Sequence, residues 1–130
     1  MPPWRELART DAIRVTYDHS SAQLLQDGAW QVMVRQDYTT RQTFRDTAYT
    51  QQEMRVRLRC GVPPVMITTV SDTLRNAGVV VSGHHYGASL WAPVNNEQSE
   101  SGWALDLCRR LTLGTLHLMW DFAIPQPTIP

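Results

Sequence analysis

Residues 52–84 read QEMRVRLRCGVPPVMITTVSDTLRNAGVVVSGH, and the folding of this stretch decides the rest of the chain. Glu53 to Cys60 alternate strictly. Met54, Val56, Leu58 and Cys60 fall on one side, and Glu53, Arg55, Arg57 and Arg59 on the other. Successive side chains of a strand point to opposite faces, so this segment predicts a strand with one buried and one wet face. Gly61-Val62-Pro63-Pro64 breaks the ladder, because proline lacks the N–H a strand needs, and Pro64 suits the first turn of a helix. Met66, Ile67, Val70, Leu74 and Ala77 then recur at helical spacing, with Asp72, Arg75 and Asn76 on the other face and Gly78 at the expected C-cap. Val79, Val80 and Val81 form a β-branched run typical of a buried strand. The stretch predicts strand, helix, strand; if both strands share a sheet, they are parallel with a right-handed crossover.

Towards the N-terminus, Trp4 to Asp11 fit a short helix with Leu7 and Ala8 inward. Ile13, Val15 and Tyr17 alternate with Arg14, Thr16 and Asp18 as a strand does. Asp27-Gly28 between two strand-like runs is a hairpin signal, since both turn positions need positive φ. A two-residue loop there sets Leu25 opposite Trp30 and Gln23 opposite Val32, with Trp30, Val32 and Val34 on the core face. Alternatively, the arm from Ala22 continues the first strand through a bend at His19–Ser21. Thr39 to Gln51, anchored only by Phe44, Ala48 and Tyr49, suits a long solvated loop or a short helix. Loops of this length in compact proteins are often binding elements.

Towards the C-terminus, Ser82 to Asn96 reads as mostly irregular. Trp103, Leu105, Leu107, Leu111 and Leu113 share the parity of a strand, and Leu116, Leu118, Trp120 and Phe122 resume it after a shift at Gly114, as a β-bulge would cause. Trp103, Ala104, Leu107, Cys108 and Leu111 fit a helix as well, but the resumed alternation tips the reading narrowly to strand. The expected fold is α+β: one domain over residues 1–124, a mixed, mostly antiparallel sheet with one or two helices packed on it. An extended proline-rich tail follows over 125–130.

One hundred and thirty residues with no net charge suit a single domain, and zero charge disfavours a sequence-independent grip on nucleic acid or an anionic membrane. No apolar run approaches the roughly twenty residues of a membrane span. The start, Met1 to Arg5, lacks the apolar core of a signal peptide, which suggests an intracellular origin. All twelve basic residues are arginine. Arginine forms planar bidentate contacts, and five tryptophans exceed what one small core needs; both fit protein–protein surfaces.

No motif of catalysis, metal or nucleotide binding stands out. Cys60, Cys108 and His117 lack metal-ligand spacing, the cysteines read as buried packing thiols, and adjacent His84 and His85 point to opposite faces of a strand. No cofactor or metal is expected. Ser82, His84 and Asp121 are the residue types of an acyl-transfer relay, though no spacing enforces one. The alternative to a surface role is a small enzyme or ligand-binding domain with a pocket near His84, His85, Tyr86 and Asp121. Arg55, Arg57 and Arg59, about 7 Å apart along a strand, would suit phosphates in a nucleic-acid module. Net neutrality and Glu53 on the same side count against nucleic acid as a partner.

Leu74-Arg75-Asn76-Ala77-Gly78-Val79-Val80-Val81 matches the phrase L-x-x-A-G-[IV]-x-V of the bacteriophage tail-terminator, or neck, proteins. Ser89-Leu90-Trp91 stands at their short turn, and Trp103-Ala104-Leu105-Asp106-Leu107 where their long strand begins. The chain resembles that family over about fifty residues. The resemblance implies a structural, non-catalytic virion protein, made in the host cytoplasm, that forms a homo-oligomeric ring and binds neighbouring virion proteins in head–tail joining or tail completion. Trp4 and Trp91, outside clear core periodicity, would be subunit-contact anchors, with Arg55, Arg57, Arg59 and the tail residues Pro125 and Pro127.

Overall fold

The computed structural model describes residues 3–61, 63–87, 90–94 and 101–123, with 114–123 as backbone only. Its elements are β1 (Trp4–Arg9), β2 (Ile13–Leu24), β3 (Trp30–Phe44), β4 (Thr47–Arg59), β5 (Val65–Asn76), β6 (Val79–His85), β7 (Ala92–Val94) and α1 (Trp103–Ala123). The first six strands follow one another across an antiparallel sheet in chain order, and β7 pairs with the free end of β5. The fold is mostly β, which corrects the α+β expectation.

The correction starts at β5. The helix expected over residues 64–77 is a strand, antiparallel to both β4 and β6, so no parallel crossover exists there. Thr68, Val70, Asp72 and Leu74 are its buried positions, a period of 2. Two of the four are polar, which hid the alternation. Val65, Ile67, Thr68, Thr69, Val70 and Thr73 are β-branched, and χ1 crowding favours such residues in strands over helices. Ala77 (φ 51°) and Gly78 (φ 82°) form the two-residue turn to β6, since positive φ at both positions matches the twist of paired strands. Val79, Val80 and Val81 are exposed on the sheet's last strand, not buried.

The other hairpins follow the same physics. Residues 39–51 are neither loop nor helix: β3 and β4 run to Phe44 and Thr47, joined by Arg45 (φ 48°) and Asp46 (φ 65°). The N-terminal segment is strand β1, paired with β2, instead of a helix. β2 continues through a bend, where Asp18 Oδ1 accepts the Ser20 N–H at 3.0 Å. At Asp27-Gly28 the loop spans residues 25–29, closed by Leu25 N–H to the Ala29 carbonyl at 2.8 Å. Leu24, not Leu25, therefore faces Trp30.

Strand β4 behaves as its alternation predicts. Met54, Val56 and Leu58 are buried with Val15, Tyr17, Val32 and Val34 on the inner face of the sheet. Helix α1 lies over that face. It buries Trp103, Ala104, Leu107, Cys108 and Leu111, one stripe at i, i+1, i+4, i+5 and i+8. Residues 103–113 are therefore helical, which corrects the lean to strand, and the helical backbone continues past Gly114 with no bulged strand. Arg110 pairs with Asp106 at 2.9 Å and donates to the Glu6 carbonyl of β1 at 3.1 Å, tying the helix to the far side of the sheet. Cys60, just after β4, is disulfide-bonded to Cys108, with Cα atoms 5.5 Å apart. The two cysteines are a cross-link between sheet and helix, not separate thiols. Among the described residues no helix is long and apolar enough to cross a membrane.

Candidate functional site

The inner face changes character beyond the helix. Cross-strand register puts Gln52, Leu74 and Ser82 in one row and Met54, Asp72 and His84 in the next. Directly paired residues share a face, so these side chains belong to the buried side of the sheet. Asp72 has only 5% of its side chain exposed. A carboxylate so placed needs donors to offset its lost hydration, and three converge on it. His84 Nδ1 lies 2.8 Å from Oδ1, Gln52 Nε2 donates to Oδ2 at 2.9 Å, and the Tyr86 hydroxyl donates to Oδ2 at 3.3 Å. On the far side of the imidazole, His84 Nε2 is 3.2 Å from Ser82 Oγ. With its proton on Nδ1, the ring leaves Nε2 to accept from the serine.

Aromatic rings frame this chain of bonds. Tyr86 stacks on His84 with centroids 5.9 Å apart, and Phe44 meets His84 edge-on at 5.4 Å. A cleft of about 100 Å³ lies alongside, lined by Phe44, Tyr49, Gln52, Asp72, Leu74 and Tyr86. Burial pushes the Tyr86 phenol above its ordinary value; the Asp72 charge and the hydrogen bond to Asp72 add to the rise. Tyr49 is raised by burial and then by the Asp72 charge. Of the pocket residues expected from sequence, His84 and Tyr86 converge. His85 is exposed on the opposite face, and the Asp121 side chain lies outside the described residues. Asp72, the centre of the cluster, was missed because the helical reading placed it on a solvated face. Its signal was a lone carboxylate within a β-branched run. Among the described residues no group of three or more His, Cys, Asp or Glu is placed to hold a metal ion.

The outer face carries the arginines. Arg55 is exposed on β4, Arg57 donates to Gln31 Oε1 at 2.9 Å, and Arg59 stacks over Trp91 at 4.2 Å. Arg35 and Arg75 both pair with Glu53, the acid within the stripe. Arg35 also lies 4.0 Å from the Trp4 ring. The expected contact residues therefore separate: Trp4 joins the β1–β3 side of this face, and Trp91 caps its β4 end. Pro125 and Pro127 fall outside the described residues.

Among the described residues, fold and surfaces define an open antiparallel β-sheet with one covering helix, a polar cluster on the inner face and an arginine-rich outer face. Comparison with protein-family models, curated proteins and solved structures finds no match.

Proposed function

We propose that this chain is a self-assembling structural subunit of a virion. The observation that carries the assembly reading is the bare edge of the sheet. Among the described residues strand β6 pairs on one side only, and its Val79, Val80 and Val81 are 65%, 58% and 41% exposed. Sheet proteins that stay apart blunt their edges with charges or proline; residues 79–84 contain neither, and their one irregularity is a register shift at Val81. Pairing with a second copy satisfies the edge N–H and C=O groups and buries the valines together. The virion setting rests on the sequence resemblance. Leu74 to Val81, which carry it, fold as a hairpin and not as a helix–glycine–strand step, so head–tail joining or tail completion is the finer suggestion of sequence alone. The Cys60–Cys108 bridge suits a particle surface exposed to oxidising surroundings. Partners are then other copies and neighbouring virion proteins. Light scattering tests the reading: the parent chain forms a closed oligomer, and Val80→Lys, with unchanged circular dichroism, is shifted to lower mass. A parent chain that stays monomeric across concentration overturns it. A chain ending at Ile124 tests the share of Pro125 and Pro127.

A second reading adds nucleic acid as a partner of the outer face. Local charge favours it where net charge does not: Glu53 is already matched by Arg35 and Arg75, leaving Arg55, Arg57 and Arg59 in a row along β4. Phosphate contacts of this kind give a steep salt dependence, each contributing a slope of about −0.7 to −0.9 in log K against log salt. Arg55→Ala should weaken binding to single-stranded RNA and flatten that slope by about one contact. No binding at low salt removes this reading and leaves the assembly reading untouched.

A further inference from the structure

We propose that Ser82 is an activated nucleophile and that the chain transfers short acyl groups from esters with acidic leaving groups. The support is geometric. Ser82 Oγ is 3.2 Å from His84 Nε2, and His84 Nδ1 is 2.8 Å from Asp72 Oδ1. This is the order serine, imidazole, buried carboxylate in which the acid fixes the tautomer and offsets the charge the ring acquires; such relays are recognised by geometry, not sequence position. Asp72 is itself held by Gln52 and Tyr86, so its orientation does not depend on His84 alone. Ser82 pairs across the strands with Leu74, which, with the relay's Asp72, lines the neighbouring cleft of about 100 Å³; Ser82 itself stands beside that cleft and not in its lining. A cleft of that size has room only for a short acyl chain.

The reaction balances without a cofactor. Ser82 Oγ bonds to the acyl carbon as its proton passes to His84 Nε2. The bond from the acyl carbon to the leaving oxygen then breaks, and the imidazolium returns the proton to the departing phenolate. Water attacks the acyl-serine and gives a proton to His84 Nε2; the bond from the acyl carbon to Ser82 Oγ then breaks, His84 returns the proton to Ser82 Oγ, and the carboxylic acid leaves.

The test uses p-nitrophenyl acetate for turnover and a fluorophosphonate for labelling, followed by peptide mass spectrometry on the full chain. Ser82 should carry the label. Ser82→Ala should abolish it, and His84→Ala should lower both label and turnover about a hundredfold or more, the range that base catalysis supplies. His85→Ala is the control for plain imidazole reactivity, because His85 faces the other way, and it should leave both unchanged. Label spread evenly over the serines, or label at Ser82 that survives His84→Ala, overturns the proposal. Ser82→Ala removes one half-exposed hydroxyl, so the readout does not hinge on a folding defect.

Discussion

At the residue scale, Asp72 shows how one polar side chain organises an apolar face. An ionised carboxylate with 5% exposure is tolerable only because histidine, glutamine and tyrosine supply its hydrogen bonds. Tyr86 registers that charge. Its phenol is raised by burial first and by Asp72 second, and the usual phenol value is 10.0. A folded-state value above the unfolded one means the folded protein holds the proton more tightly. The stability this contributes is fully present below pH about 10 and is lost as pH rises through the raised folded value. Asp72→Asn removes the charge, so Tyr86 should titrate closer to the ordinary phenol value, leaving only the part of the rise due to burial. Phenolate absorbance against pH, with Tyr86→Phe to assign the signal, measures this; an unchanged titration in Asp72→Asn would show that the carboxylate does not act on Tyr86. Sequence could place His84 and Tyr86 near one another, because they are two residues apart, but not Asp72. Its partners are 12 to 20 positions away in sequence, and only strand register brings them together.

At the element scale, alternation was legible wherever one face was apolar and the other charged, as from Glu53 to Cys60. It failed in β5, where Thr68 and Asp72 occupy inward positions and the apolar residues left over fell by chance at helical spacing. It failed in α1 for the opposite reason: leucines at odd positions satisfied both periods, and only packing on the sheet chose the helix. Hairpins were visible where glycine follows aspartate and invisible at Arg45-Asp46, which adopts positive φ at both positions without glycine. Such a turn costs each residue the left-handed region, of order 1 kcal/mol or more. Replacing the pair by asparagine and glycine (Arg45→Asn with Asp46→Gly) keeps the backbone and relieves that cost. The double variant should be more stable by about 1 kcal/mol, read as a higher denaturant midpoint at constant m. Lower stability would mean that Arg45, which lies 5.3 Å from the Phe44 ring, contributes more through that contact than the turn costs.

At the scale of the whole molecule, one sheet and one helix must share a single inner face, and the helix covers only part of it. The Cys60–Cys108 bridge fixes that cover. It closes a loop of sequence separation 48 that contains β5, β6 and β7 and ends on the buried stripe of α1. Closing a loop of this length in the unfolded chain is worth about 4 kcal/mol in the chain-entropy model. That is a large share of the roughly 5–15 kcal/mol typical of small proteins. The apolar stripe of α1 still docks without the bridge, because Trp103, Leu107 and Leu111 remain to be buried. Cys60→Ser with Cys108→Ser should therefore fold with the same far-ultraviolet circular dichroism but lose up to about 4 kcal/mol in guanidinium unfolding. The parent under strong reductant should match the double variant. If oxidised parent, reduced parent and double variant unfold at one midpoint, the cross-link does not hold the helix.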